Sequence, residues 1–155
     1  MKNIVNYKEF EKEYDGKSFI ALGRELYMDL ETPVSIFLKV SNGANSFLLE
    51  SVEGGESIAR YSFIGIGGYE KFDSGNKGSG FKNPLNLVSD LLDNINVVKP
   101  EWMERFFGGL IGYISYDAVK YFDNIKLPND QGLDLPEACF LFVKDFLVYD
   151  HLKHK

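Results

Sequence analysis

Apolar positions along this chain recur in two periods, one of three to four residues and one of two, the marks of helix and strand. Tyr7, Phe10 and Tyr14 stand at helical spacing among lysines and glutamates, and Gly16 follows, which predicts a short amphipathic helix stopped by glycine. Residues 18–22 read as a strand. Over residues 30–40 the helical period returns: Thr32 can cap the N-terminus, and Pro33 suits the first helical position because its missing N–H would be unpaired there anyway. Val34, Phe37 and Leu38 are the expected buried stripe, and Asn42-Gly43 turns the chain. Residues 46–52 alternate as a strand, with Phe47, Leu49 and Ser51 on one face and Leu48, Glu50 and Val52 on the other. After the turn Glu53-Gly54-Gly55-Glu56, strands are expected at 60–66 and 69–72, then a polar, glycine-rich loop at 74–80. Asn83-Pro84 opens a third helix, along which Leu85, Val88, Leu91, Leu92 and Ile95 keep helical spacing.

Residues 106–114 read as a buried strand with close backbone approaches at Gly108, Gly109 and Gly112. Residues 115–122 read as helical and 124–136 as a loop. The run 138–149 is apolar except for Lys144-Asp145, which predicts a hairpin of two buried strands. No internal repeat and no linker interrupts the pattern, so the expected fold is one α+β domain over residues 1–155, a large, mainly antiparallel sheet with a few flanking helices. The last strand runs almost to Lys155, where a buried strand needs a neighbour; the expectation is the front part of a longer protein.

Charge and cysteine usage narrow the partners. Seventeen basic and 23 acidic residues leave a net charge of −6, which argues against nonspecific binding to nucleic acid or to an anionic membrane. The single cysteine, Cys139, excludes an internal disulfide and fits a reducing compartment. The N-terminus lacks the apolar core of a signal peptide, and the nearly apolar run at 106–116 is too short to span a bilayer. These features predict a cytoplasmic protein with no nucleic-acid or membrane partner.

Catalytic signatures are missing. There is no phosphate-binding G-x-x-x-x-G-K-[ST] loop, no G-x-G-x-x-G fingerprint, no H-E-x-x-H and no G-x-S-x-G elbow. His151 and His154 have metal-compatible spacing, but no carboxylate cluster is placed to join them. Cys139 sits in an apolar run and reads as a small core residue, and Asp117 as a helix-start carboxylate. The residues alone describe a globular unit without a self-contained catalytic site.

One segment adds to that reading. Leu48-Leu49-Glu50-Ser51, an acidic glycine-containing turn, and then Ala59-Arg60-Tyr61-Ser62-Phe63-Ile64-Gly65 resemble the N-terminal region of anthranilate synthase component I. Three more stretches agree in the same order: Asp29-Leu30-Glu31-Thr32-Pro33-Val34-Ser35, the run from Phe107 to Asp117 with its Gly108-Gly109 and Gly112-Tyr113, and Leu135-Pro136-Glu137-Ala138-Cys139-Phe140 followed by Tyr149-Asp150-His151.

The resemblance implies an enzyme that converts chorismate to anthranilate in tryptophan biosynthesis, with a bound Mg²⁺ and ammonia from a glutamine amidotransferase subunit (component II). The family's chorismate and Mg²⁺ residues lie in a C-terminal catalytic domain, so no catalytic residue and no metal site is expected in this chain. What is expected is part of the L-tryptophan feedback site, with Ser51 as the principal contact, Glu50 and Leu49 beside it, and Arg60 standing for the basic residue that the family places shortly after the strand. A strand carboxylate and hydroxyl can hold an ammonium group, and apolar neighbours can cover an indole. Two other readings stay open: aminodeoxychorismate synthase component I, of the same superfamily, and a free-standing amino-acid-binding module. Leu-Leu-Glu-Ser can also be an ordinary strand with a solvated serine.

Overall fold

The computed structural model describes residues 19–50, 60–75, 83–93, 95–98, 106–126, 133 and 135–155. The chain divides into two compact units, one formed by Met1–Tyr69, Asn96–Gly108 and Val143–Lys155, the other by Glu70–Ile95 and Gly109–Phe142.

The first unit holds β1 (Phe19–Ile20) and β5 (Val97–Val98), paired in parallel, and a three-stranded antiparallel sheet. That sheet is built from β2 (Phe47–Leu49), β3 (Tyr61–Gly65) and β8 (Leu147–Asp150), with β3 in the middle. Leu48 stands opposite Ile64, and Ile64 opposite Leu147; Ser62 faces Tyr149. Strand alternation puts Leu48, Ile64 and Tyr149 on one face, and helix α1 (Pro33–Val40) closes over it. Ile36, Ile64 and Tyr149 form the buried centre, flanked by Met28, Phe37, Val40 and Leu48. Elsewhere in this unit Phe63, Phe106 and Phe146 meet ring to ring at 5.0–6.5 Å.

Helix α1 starts as its sequence dictates. Thr32 accepts a hydrogen bond from the Ser35 N–H at 3.1 Å, and Ser35 Oγ accepts from the Thr32 N–H at 2.9 Å, so two otherwise orphaned donors are satisfied. The helix begins at Pro33 rather than residue 30, and Leu30 lies in a turn, 99% exposed. The buried stripe is Pro33, Ile36, Phe37 and Val40, whereas Val34 and Leu38 are exposed. Both sets have helical spacing; contact with Ile64 and Tyr149 selects the first.

The second unit contains β4 (Glu70–Asp73), β6 (Gly109–Ile114) and β7 (Ala138–Val143), with β7 central and antiparallel to β4. Helix α2 (Pro84–Leu92) is capped by Asn83, whose side chain accepts from the Leu85 N–H at 2.9 Å. A 3₁₀ helix spans Tyr116–Tyr121. Ser74 ties the end of β4 to β7 twice, donating its N–H to the Ala138 carbonyl and accepting from the Ala138 N–H.

The α+β class with mainly antiparallel strands is as expected, with the described strands shared among three small sheets. The expected 138–149 hairpin is not formed: β7 pairs with β4 and β6, and β8 pairs with β3. An apolar run broken by two polar residues looks the same whether its halves fold together or part. The strand expected to be buried at 106–114 is only half-buried at its start and exposed at Tyr113 and Ile114. The last strand stops at Asp150, and residues 151–154 turn, with His154 at a φ of 50°. The N-terminal helix expected around Tyr7–Tyr14 lies outside the described residues.

Candidate functional site

Strand β2 ends at Leu49, which is 46% exposed. Glu50 follows, solvent-exposed, and Ser51 lies outside the described residues. Beneath this end, β3 contributes Ser62, whose side chain is fully buried. A buried hydroxyl requires a partner. Ser62 Oγ has two within reach: Nε2 of His151 at 2.7 Å and Oε1 of Glu50 at 3.5 Å. The His151 N–H donates to the Arg60 carbonyl, and its ring meets that of Tyr149 edge-on at 5.0 Å.

Arg60 turns to Asp150. Its Nε and terminal amino nitrogen reach the two carboxylate oxygens at 3.2 and 2.7 Å, a two-pronged pairing, and the guanidinium also stacks 4.8 Å from the Tyr61 ring centre. Asp150 further accepts from the N–H groups of Leu152 and Lys153. Burial pushes its carboxyl upward, but the hydrogen bonds from Arg60, Leu152 and Lys153 outweigh it and hold the carboxyl below its ordinary value of 3.8. Two stretches that stand 90 positions apart, Arg60-Tyr61-Ser62 and Tyr149-Asp150-His151, are therefore joined side chain to side chain across β3 and β8.

The expected site residues are thus distributed. Leu49 and Glu50 sit together at the open end of β2, while Arg60 is engaged with Asp150. A cleft of about 700 Å³ in the same unit is lined by Arg60, Tyr61, Phe63, Phe106 and Phe146 among others; neither Leu49 nor Glu50 borders it. Sequence reasoning assigned no role to Ser62, Asp150 or His151. The signal available was their membership of two of the stretches that carry the family resemblance, which by itself does not reveal pairing.

The second unit holds a separate polar cluster. Lys120 pairs with Glu137, and the Tyr121 phenol is pushed up to about 12, first by burial and then by hydrogen bonding and charge repulsion from Glu137. Among the described residues no group of three or more His, Cys, Asp or Glu is placed so that it could hold a metal ion. No helix of the described residues is long and apolar enough to cross a membrane.

No protein-family model matches the chain. Individual relatives do. The chain is 34% identical over 155 residues to anthranilate synthase component 1 of Acetivibrio thermocellus, an alignment covering 93% of this chain and 31% of the relative. It is 38% identical over 125 residues to the probable anthranilate synthase component 1 of Schizosaccharomyces pombe, covering 79% and 24%, and 34% identical over 173 residues to the Pseudomonas aeruginosa component 1, covering 97% and 34%. Among solved structures, anthranilate synthase component I from Streptococcus pneumoniae aligns with a TM-score of 0.46 at 21% identity, over 86% of this chain and 30% of that one. The chain spans roughly a third of the length of the first and third of these relatives.

Proposed function

Because the chain is a relative of anthranilate synthase component 1 along nearly all of its length, we propose that it is the N-terminal part of such an enzyme and carries part of an L-tryptophan feedback site. On this reading the complete protein makes anthranilate from chorismate, with ammonia released from glutamine by an amidotransferase partner. Chorismate and Mg²⁺ chemistry belong to the portion of the relatives that this chain does not span. The observation that carries the proposal is the similarity to several component 1 proteins along nearly the whole chain; the Leu48-Leu49-Glu50-Ser51 site is carried by the resemblance of that segment to the family's pattern.

The local chemistry suits an aromatic amino acid. Glu50 offers a solvent-facing carboxylate to an α-ammonium group, and a charge-assisted hydrogen bond is stronger than a neutral one. Leu49, its neighbour in the chain, leaves exposed apolar surface on the other face of the strand, and in the sequence Ser51 supplies a hydroxyl. Arg60, the other expected contact, is engaged by Asp150 and is not part of this arrangement. Inhibition then works by linkage: tryptophan binds one arrangement of the enzyme more tightly and shifts the equilibrium only by that difference, typically about 1–3 kcal/mol. Chorismate must weaken tryptophan binding by the same factor.

In the full-length enzyme, Ser51→Ala is expected to raise the tryptophan concentration for half-inhibition roughly tenfold, within the usual range of such couplings, while product still forms without tryptophan. Unchanged sensitivity would overturn the site. Identification of aminodeoxychorismate rather than anthranilate as the product would overturn the reaction.

A further inference from the structure

Ser62 Oγ carries one hydrogen and must serve two neighbours. Glu50, as a carboxylate, can only accept. Nε2 of His151 donates if it bears a hydrogen and accepts if it does not. At 2.7 Å a hydrogen lies between Oγ and Nε2 whichever atom owns it. If Nε2 is bare, the hydroxyl hydrogen goes to the ring, and a serine lone pair faces the Glu50 carboxylate at 3.5 Å. If Nε2 bears the hydrogen, the ring donates to Oγ and the hydroxyl is free to donate to Glu50. Only the second arrangement leaves all three groups in attraction.

We infer that His151, acting through Ser62, is a positioning residue for Glu50: the ring holds its hydrogen on Nε2, and the relay His151→Ser62→Glu50 fixes the carboxylate at the end of β2. The relay stands on rigid ground. Ser62 lies in the central strand of its sheet and is fully buried, and His151 is held by its backbone N–H, which donates to the Arg60 carbonyl, and by the Tyr149 ring. The Arg60–Asp150 pairing locks the two segments that carry Ser62 and His151 in register. An exposed glutamate on a strand end otherwise samples several rotamers, and the entropy of ordering it would be charged against any ligand it binds. The inference rests on the tryptophan reading for the identity of that ligand, but the relay is tested without it.

Nitrogen-15 correlation spectra of this chain, recorded across pH until the His151 ring shows a single ring N–H, report which of its nitrogens is protonated. The expected result is Nε2–H in the wild type. Glu50→Ala removes the acceptor, so the hydroxyl hydrogen turns back to the ring and the Nδ1–H form gains population. A wild-type ring protonated on Nδ1, or a tautomer balance indifferent to Glu50→Ala, overturns the relay. In the full-length enzyme, His151→Phe and Ser62→Ala are each expected to weaken tryptophan inhibition roughly tenfold, the worth of one hydrogen bond. His151→Gln should restore it, because the glutamine amide can donate to Ser62 from about where Nε2 stands. Failure of the glutamine rescue, with His151→Gln folded by circular dichroism, counts against positioning. If the wild-type enzyme ignores tryptophan while the spectra behave as expected, the tryptophan reading falls and the relay stands.

Discussion

At the scale of single residues, ion pairs among the described residues of the first unit join Lys39 with Glu31, Arg60 with Asp150 and Lys155 with Glu25. Asp150 is the clearest case, nearly buried yet ionised because Arg60 and two backbone N–H groups accept the burden of its desolvation. Its folded carboxyl sits below the ordinary 3.8, so the stabilisation is complete above that value and is lost as pH falls through the lower folded one. Asp150→Asn keeps the shape and removes the charge. The expected cost is about 2 kcal/mol at neutral pH, the range for hydrogen bonds to charged groups. The variant should also lose part of the wild type's decline in stability below pH 4, read by urea unfolding across pH. A variant as stable as the wild type at pH 7 would show that the pairing contributes nothing net. The Arg60 side chain was read from the sequence as a ligand contact, and only the fold reveals that Asp150 engages it.

At the scale of elements, helix starts were legible and strand partners were not. Thr32-Pro33 and Asn83-Pro84 act locally, through a side-chain oxygen reaching an N–H two or three positions ahead, so each helix starts at the proline after its cap, even where the apolar period over residues 30–40 put the start earlier. Strand pairing joins residues far apart in the chain, and nothing near 138–149 states that its two halves enter different sheets. Of the three glycines expected to allow a close approach, Gly108 and Gly112 do so and Gly109, with open space where its Cβ would stand, does not: a Cβ on Gly112 would lie 1.9 Å from the carbonyl oxygen of Cys139 on the adjacent strand β7. Backbone in a central strand cannot yield that distance. Gly112→Ala is therefore expected to cost at least about 3 kcal/mol, the upper range for overpacking, or to abolish folding of the second unit. Thermal unfolding followed by circular dichroism checks it, and a shift of only a degree or two would mean that β6 and β7 separate easily.

For the molecule as a whole, apolar side chains left in water matter more than those buried. Leu30 is 99% exposed, Leu38 73% and Val34 47%, all on or beside one short helix, which is more apolar surface than an isolated domain usually leaves together. The net charge of −6 opposes association at neutral pH and vanishes near pH 4.9. The 155-residue chain is expected to self-associate reversibly, with light-scattering mass rising with concentration at pH 7 and more steeply at pH 5.5. Leu38→Lys should reduce it. A strictly monomeric chain at both pH values would mean that these leucines are harmless.

By itself the sequence determined what acts over a few residues: the capped helix starts, the alternation that makes 61–65 a strand, the need for glycine at Gly112, and, through the Leu48-Leu49-Glu50-Ser51 and Arg60-Tyr61-Ser62 stretches, the family resemblance. Tertiary structure alone decided which apolar stripe of α1 is buried, that β7 and β8 part, and that Arg60 meets Asp150 while Ser62 meets His151. The reason is distance along the chain. Caps and turns are settled by neighbours in sequence, whereas a pairing across 90 positions exists only after the strands between have chosen their register.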